Sequence, residues 1–312
     1  MSTYLITGAA GFIGSNIAEH LVLQGENVIG VDNFLTGKEN NIAGFKNRMQ
    51  FVEGDIRDAQ LMQQLCRGVD YVIHHAALAS VPWSMEDPTL AHEHNVTGTL
   101  NVLLAARDNA VKKVVMAVTS AAYGNTEELP AHEELPTQAL SPYAATKLMG
   151  EQYLKLFASV YNLPTVGLRY FNVFGKRQDP QSAYAAAIPI FARRLIHGES
   201  PLVYGDGTQT RDFVYIRDVI QANLKACAAP EYANGHIFNI GTGIQLTVTD
   251  LITHMQQLLC TDLPIRYSDV REGDIKHSVA SIDKAKHLLG YEPQFSVFDG
   301  LKEAIDWYRA NL

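Results

Sequence analysis

The 312-residue sequence predicts an α/β fold, a doubly wound parallel sheet carrying a smaller α/β lobe. Two features predict it. Short apolar runs without polar alternation recur through the first half of the chain, and stretches of helical periodicity separate them. Strands that are apolar on both faces belong in a parallel sheet covered by helices on both sides.

Tyr4-Leu5-Ile6-Thr7 is the first run, and glycines end it. Ile17 to Leu23 then carries helical spacing. Asn27 to Val31, Tyr71 to Ile73, Val114 to Val118 and Thr165 to Leu168 are the later strands. Helices are expected near 58–66, 90–109 and 143–161. After about residue 172 the texture changes: Pro180, Pro189 and Pro201 interrupt it, and turns such as Tyr204-Gly205-Asp206-Gly207 appear. A second lobe over the carboxyl edge of the sheet follows. The expected division is 1–172 plus about 213–237 for the sheet domain, and about 173–212 plus 238–312 for the lobe.

Hydrophobic residues make up 47% and charged residues 19%, an ordinary globular composition. The formal net charge of −8 argues against a broad nucleic-acid or anionic-membrane surface. It leaves room for an anionic substrate held by a few arginines in a cleft. Cys66, Cys227 and Cys260 are too widely spaced for a zinc or redox motif, and no metal site is expected. The N-terminus enters a strand at once, without a basic region or a cleavable apolar segment. No run approaches the ~20 apolar residues of a membrane span. A soluble cytoplasmic protein is the expectation.

Gly8-Ala9-Ala10-Gly11-Phe12-Ile13-Gly14 follows the first strand and opens the first helix. Glycines at this spacing let the backbone turn sharply and approach a pyrophosphate, as in a Rossmann domain. The helix N-terminus adds unpaired N–H groups and a positive dipole end. Asp32 ends the second strand, where a carboxylate can bond both ribose hydroxyls. A 2′-phosphate would be repelled there, so NAD is favoured over NADP. Asp55 and Ile56 are placed to bracket the adenine.

Tyr143 and Lys147 stand four residues apart in an expected helix, one turn apart on one face. A neighbouring ammonium stabilises a phenolate, so Tyr143 can take a proton from a sugar hydroxyl. Such a pair alone is usually surface decoration; beside the glycine loop it is a candidate acid–base pair. Thr119-Ser120 ends the strand 114–118 at the carboxyl edge, where ligands bind in such sheets. The Thr119 hydroxyl can hold and relay a substrate proton.

Further motifs span nearly the whole chain. They are Asp32-Asn33-Phe34, His75-Ala76-Ala77, Asn95-Val96-Thr97-Gly98-Thr99, Tyr123-Gly124, Arg169 to Gly175, Thr210 to Val214 and Arg271-Glu272-Gly273-Asp274. With the glycine loop and Tyr143…Lys147, they make the chain resemble the extended short-chain dehydrogenase/reductases, within them the bacterial UDP-N-acetylglucosamine/UDP-glucose 4-epimerases.

The resemblance implies a NAD-binding domain and a UDP-sugar-binding lobe. It implies Tyr143 as base, Lys147 tuning it and holding the nicotinamide ribose, and Thr119 as hydroxyl partner. Tightly bound NAD would touch Gly8, Gly11, Phe12, Ile13, Gly14, Asp32, Asn33, Phe34 and Gly37. Asp55, Ile56, Ala76, Ala77, Asn95, Tyr143, Lys147 and Phe171 complete that set. Asn172 would hold the diphosphate, Arg211 and Arg271 would neutralise it, and Asp274 would join them. Ala187, Ile188, Val203 and Tyr204 would line the uracil pocket, and Ala79, Ser80, Val81, Ser120, Ala121 and Ser278 the hexose end. The helices near 90–109 and 143–161 would pack across a two-fold axis in a homodimer.

Relatives that dehydrate or decarboxylate the sugar carry an acid just after the threonine. Here Ser120 and Ala121 stand there. This leaves C4 epimerisation through a transient 4-keto sugar. Ala121 departs from close epimerases, where serine is frequent. A small residue at Ser278 admits an N-acetyl group, so UDP-GlcNAc/UDP-GalNAc are the expected substrates and UDP-Glc/UDP-Gal weaker ones. Gln178 to Tyr184 also resembles the acetyl-preferring branch, and surface-polysaccharide precursor synthesis is the pathway by analogy. The alternatives are a UDP-glucuronate 4-epimerase, a UDP-sugar dehydratase or decarboxylase, a dehydrogenase releasing NADH, and a non-catalytic NAD-binding protein.

Overall fold

The computed structural model describes residues 1–180, 186–270 and 275–312. Seven parallel strands form the main sheet. Their spatial order is His236–Ile240, Thr165–Tyr170, Lys113–Thr119, Tyr71–His74, Thr3–Thr7, Asn27–Asp32, Gln50–Glu53. The chain starts in the middle, builds outward to Gln50–Glu53, then returns and builds the other way from Tyr71–His74. The reversal opens a crevice beyond the carboxyl ends of Thr3–Thr7 and Tyr71–His74, where Thr7 pairs with His74.

The apolar runs are two-faced because the sheet is covered twice. Ile6, Ile73 and Val115 pack into one core, while their chain neighbours Leu5, Val72 and Val114 pack into the other. Helices Phe12–Leu23 and Ile216–Ala228 meet over one side; Ala59–Leu65 and Gly98–Asp108 meet over the other.

The second lobe is made of short pieces. Helices Ala187–Ile196, Val248–Leu259 and Val297–Asn311 pack on one another. Three two-stranded pairings join Asn172–Phe174 to Phe213–Tyr215, Thr210–Arg211 to Leu246–Thr247, and Leu202–Tyr204 to Arg266–Ser268. The seventh sheet strand, His236–Ile240, runs through the boundary expected near residue 237. Proline and glycine turns announce the lobe, but this apolar strand returns to the sheet after the lobe has begun, and no local pattern marks that return. No helix among the described residues is long and apolar enough to cross a membrane.

Candidate active site

The glycine loop has the backbone that its spacing predicts. Gly8 adopts a φ of +70°, and a Cβ there would lie 2.7 Å from the Ala76 nitrogen. A Cβ on Gly14 would lie 2.1 Å from the Gly8 carbonyl oxygen, so only glycine lets the helix start this close to the strand. Helix Phe12–Leu23 begins at Gly11 with no side-chain cap. Its first N–H groups therefore remain for an anion.

Asp32 is 7% exposed and accepts hydrogen bonds from the Ala10 and Phe34 N–H groups, at 2.9 and 2.8 Å. Burial raises its pKa while those bonds oppose the rise. Gly37 packs against this carboxylate, where a Cβ would sit 2.7 Å from Oδ1. Asp32 lines a recess with Gly8, Gly11, Asn33, Ile56, Ala76 and Ala77. Phe34 and Gly37 support the acid from outside that lining. Asp55 is also outside it, bound instead to Arg57 at 2.9 Å and to the Asn33 side-chain amide at 2.9 Å. Burial would raise its pKa, but the Arg57 and Asn33 bonds hold it below the usual range.

The recess continues into a cleft of about 460 Å³, a size usual for small-molecule sites. Gly14, Phe12 and Ile13 line it on one side; Thr119, Tyr143, Lys147 and Phe171 line it on the other, with Ala79 and Ser80. Strand Lys113–Thr119 delivers Thr119 at its carboxyl end. Helix Pro142–Val160 delivers Tyr143 and Lys147 from its first turns. Ser141 caps that helix by accepting the Ala144 N–H at 3.1 Å, and Pro142 fits the first turn. The Tyr143 N–H bonds the Ser84 hydroxyl at 3.0 Å.

One face of this helix points inward. Tyr143 bonds Thr119, whose hydroxyl oxygen also accepts the Ala121 N–H at 3.1 Å. Lys147, one turn on, is 4% exposed and donates to the Ala117 carbonyl at 3.0 Å. Glu151, another turn on, forms a buried bidentate pair with Arg169 at 2.7 and 2.6 Å. Burial raises the Tyr143 pKa while the Thr119 bond lowers it. Burial lowers Lys147 to about 8. The expected lowering of Tyr143 by Lys147 is thus not what governs the protein alone, because both groups are desolvated together.

Asn95, expected at the cofactor, lines neither space. It lies in a π-helical turn, Glu93–Thr97, that interrupts two α-helical segments. Its side chain accepts the Leu78 N–H at 2.7 Å and donates to the Leu78 carbonyl at 3.1 Å and the Thr146 hydroxyl at 3.0 Å. Thr146 in turn bonds the Tyr143 carbonyl at 2.8 Å. Asn95 thus ties helix Pro142–Val160 to the loop after strand Tyr71–His74. His74 sits behind it. Thr99 donates to the Asn95 carbonyl at 2.7 Å, so it accepts from His74 Nε2–H at 3.0 Å. Nδ1 then accepts from Thr7 at 2.7 Å. Burial holds both His74 and His75 neutral, with pKa values lowered to about 3.

The sugar-nucleotide set is less gathered. Val81, Ser120, Ala121, Asn172, Ala187, Ile188, Val203, Arg211 and Ser278 do not line the cleft. Asn172 donates to the Asp212 carbonyl at 3.2 Å, and Arg211 to the Thr210 carbonyl at 2.9 Å. Tyr204 lines a separate recess with Gln209, Tyr267 and Lys276. Arg271, Asp274 and the stretch 181–184 lie outside the described residues. Among the described residues no cluster could hold a metal ion.

His75, Lys38 and Asp179 are among the cleft residues that had no assigned role. His75 bonds the Tyr170 hydroxyl at 3.0 Å. Lys38 and Asp179 form an ion pair of 2.6 Å between the two walls of the cleft. Nothing in a one-dimensional pattern pairs residues so far apart.

The model of the NAD-dependent epimerase/dehydratase family matches residues 4–241. The chain belongs to that family. A putative UDP-glucose 4-epimerase of Methanocaldococcus jannaschii is 39% identical over 309 residues, 98% of each chain. A UDP-glucuronate 4-epimerase of Thermodesulfobacterium geofontis is 34% identical, covering 100% of this chain and 98% of its own. Among solved structures, a UDP-N-acetylglucosamine 4-epimerase from Methanobrevibacter ruminantium, in complex with UDP-N-acetylmuramic acid, superposes with a TM-score of 0.95. It is 36% identical, covering 100% of this chain and 99% of the other. The family cofactor fits what the chain provides: glycines that a Cβ would block, an uncapped helix start, and a buried acid for the ribose.

Proposed function

We propose that this protein is an isomerase that inverts C4 of a UDP-hexose, with UDP-GlcNAc and UDP-GalNAc as its preferred pair. The carrying observation is the convergence of Thr119, Tyr143 and Lys147 in one cleft with the glycine loop. Bound NAD supplies the acceptor and donor of the C4 hydride. The chain supplies the proton chemistry. Tyr143 Oη removes the proton of the C4 hydroxyl, Thr119 steadies that oxygen, and the Lys147 ammonium stabilises the phenolate. On return the phenol gives the proton back. Gly11 to Gly14 and Asp32 hold the dinucleotide between the two half reactions.

The residues after Thr119 support epimerisation over dehydration or decarboxylation. Ser120 and Ala121 cannot serve as an acid or base on a neighbouring carbon. Asp179 is the one carboxylate among the described cleft-lining residues, and Lys38 neutralises it. The cations there support a neutral hexose over a uronic acid. Lys38 is paired with Asp179, Arg177 with Glu19 at 2.7 Å, and Lys147 with the Ala117 carbonyl. The acetylated pair is preferred in this reading because the resemblance sets a small residue, Ser278, where a bulky one would exclude an N-acetyl group, although Ser278 does not line the cleft described above.

A homodimer through helix Pro142–Val160 fits its exposed Met149, Leu156 and Val160. The test of the function is the product profile from UDP-Glc, UDP-Gal, UDP-GlcNAc and UDP-GalNAc supplied separately. Conversion of the acetylated pair fastest supports the reading. Conversion of none of the four, with turnover of UDP-glucuronate, would replace it.

A further inference from the structure

The start of helix Pro142–Val160 is held from outside that helix. Ser84 lies in the short helix Val81–Glu86, is fully buried and does not line the cleft. Its hydroxyl donates to the Val81 carbonyl at 2.7 Å, which leaves its oxygen to accept the Tyr143 N–H at 3.0 Å. Both roles of the hydroxyl are filled, and their directions are fixed.

The first turn of helix Pro142–Val160 shows why this bond falls on Tyr143. The leading N–H groups of a helix have no partner within it. Pro142 has no N–H to satisfy. Ser141 takes the Ala144 N–H with its hydroxyl at 3.1 Å and the Ala145 N–H with its carbonyl at 3.0 Å. The Tyr143 N–H is left over, and a second helix supplies its acceptor. That second helix packs on Pro142–Val160 and is capped by Ser80, which lines the cleft with Ala79 and Tyr143. One hydroxyl therefore joins the Tyr143 peptide to the element that follows the Ala79–Ser80 wall.

We propose that Ser84 is a positioning residue for Tyr143, setting the start of helix Pro142–Val160 against the Ala79–Ser80 wall so that the phenol stays on Thr119. The inference rests on Tyr143 as the base in the function proposed above. Without the Ser84 hydroxyl a buried N–H is left unpaired, and the helix start shifts toward another acceptor. The bond from Tyr143 to Thr119 then weakens. That bond lowers the phenol pKa against the rise that burial causes.

The test follows turnover against pH for whichever UDP-hexose the wild-type holoenzyme converts fastest, in Ser84→Ala, Tyr143→Phe and Ser296→Ala. Ser296 caps helix Val297–Asn311 in the second lobe by accepting the Asp299 N–H at 3.1 Å, so its variant controls for the loss of a cap as such. A 1 Å misplacement of a reacting group costs about 10²-fold. A shift of part of that distance lowers kcat in Ser84→Ala by about tenfold. KM and bound NAD stay within about twofold of wild type, because the bond serves the transition state and not binding. The rise of kcat with pH moves to higher pH by about 0.5–1 unit, the worth of one hydrogen bond to the phenol oxygen. Ser296→Ala keeps the wild-type rate and profile.

A Ser84→Ala kcat within about twofold of wild type overturns the proposal. So does a fall that Ser296→Ala shares, or one with no shift of the profile. Ser84→Cys keeps a weak donor and acceptor at similar size, and it reads the same quantities should the alanine variant fail to fold. If Tyr143→Phe turns over as wild type does, the base assignment falls and this inference with it. If Tyr143→Phe is inactive while Ser84→Ala is normal, this inference alone falls.

Discussion

At the dinucleotide end of the cleft the walls are main chain. Gly8 and Gly14 admit no Cβ, and the Asp32 carboxylate is fixed by two backbone N–H groups. At the other end the candidate catalytic groups are side chains carried by separate elements: Thr119 on a strand, Tyr143 and Lys147 on a helix. A backbone wall tolerates no substitution but needs no outside support. A side-chain wall depends on braces that hold its carriers in register. Glu151–Arg169 and Asn95–Thr146 are those braces.

Breaking the sugar end alone should separate the two. Tyr143→Phe should lower epimerisation by about 10²–10⁴-fold, the usual worth of a positioned acid–base group, while the purified protein keeps its NAD. Turnover by UDP-sugar NMR and bound NAD by absorbance after denaturation check both halves. Loss of NAD together with turnover would show that the two ends are not separable.

The next largest effect falls on the brace beneath the catalytic helix. Glu151→Ala leaves Arg169 buried and unpaired, which should cost about 3–5 kcal/mol. Urea unfolding reads it, and a loss below about 1 kcal/mol would mean that the pair is solvated in solution. Asn95→Leu removes the tie between Leu78 and Thr146. It should cost about 1–3 kcal/mol for the buried groups left unpaired, and lower turnover more than NAD content. Equal loss of both would return Asn95 to the cofactor set.

The last effect is a slope. His74 and His75 have pKa values lowered to about 3 in the fold, below the ordinary value of 6.5. Between those values the unfolded chain binds more protons, so stability rises with pH and is lost as pH falls from about 6.5 toward 3. Each histidine contributes a slope of about 1.4 kcal/mol per pH unit in mid-window. His75→Phe should shallow the slope measured at pH 6, 5 and 4; an unchanged slope would place the protons elsewhere.

The same contrast explains what the sequence made legible. The glycine loop, Asp32 and Tyr143…Lys147 are local patterns in which neighbours along the chain are neighbours in space, and the fold brings them together. Asn95 was expected at the cofactor because its motif is local, but its partners Leu78 and Thr146 are brought to it only by the fold. Lys38 and Asp179 meet across the cleft although they lie far apart along the chain. The described residues expected at the uracil and the diphosphate fall mostly in the second lobe of short pieces, whose relative placement no periodicity records. Strand His236–Ile240 escaped assignment to the sheet for the same reason.

The central claim is that the Tyr143 phenol works on the hexose C4 hydroxyl. A crystal structure with NAD and UDP-GlcNAc tests it most directly. The account predicts Tyr143 Oη within hydrogen-bond reach, about 2.6–3.2 Å, of the C4 oxygen, with Lys147 on the nicotinamide ribose. A phenol turned away from the sugar, or a C4 hydroxyl bonded to some other base, would contradict it.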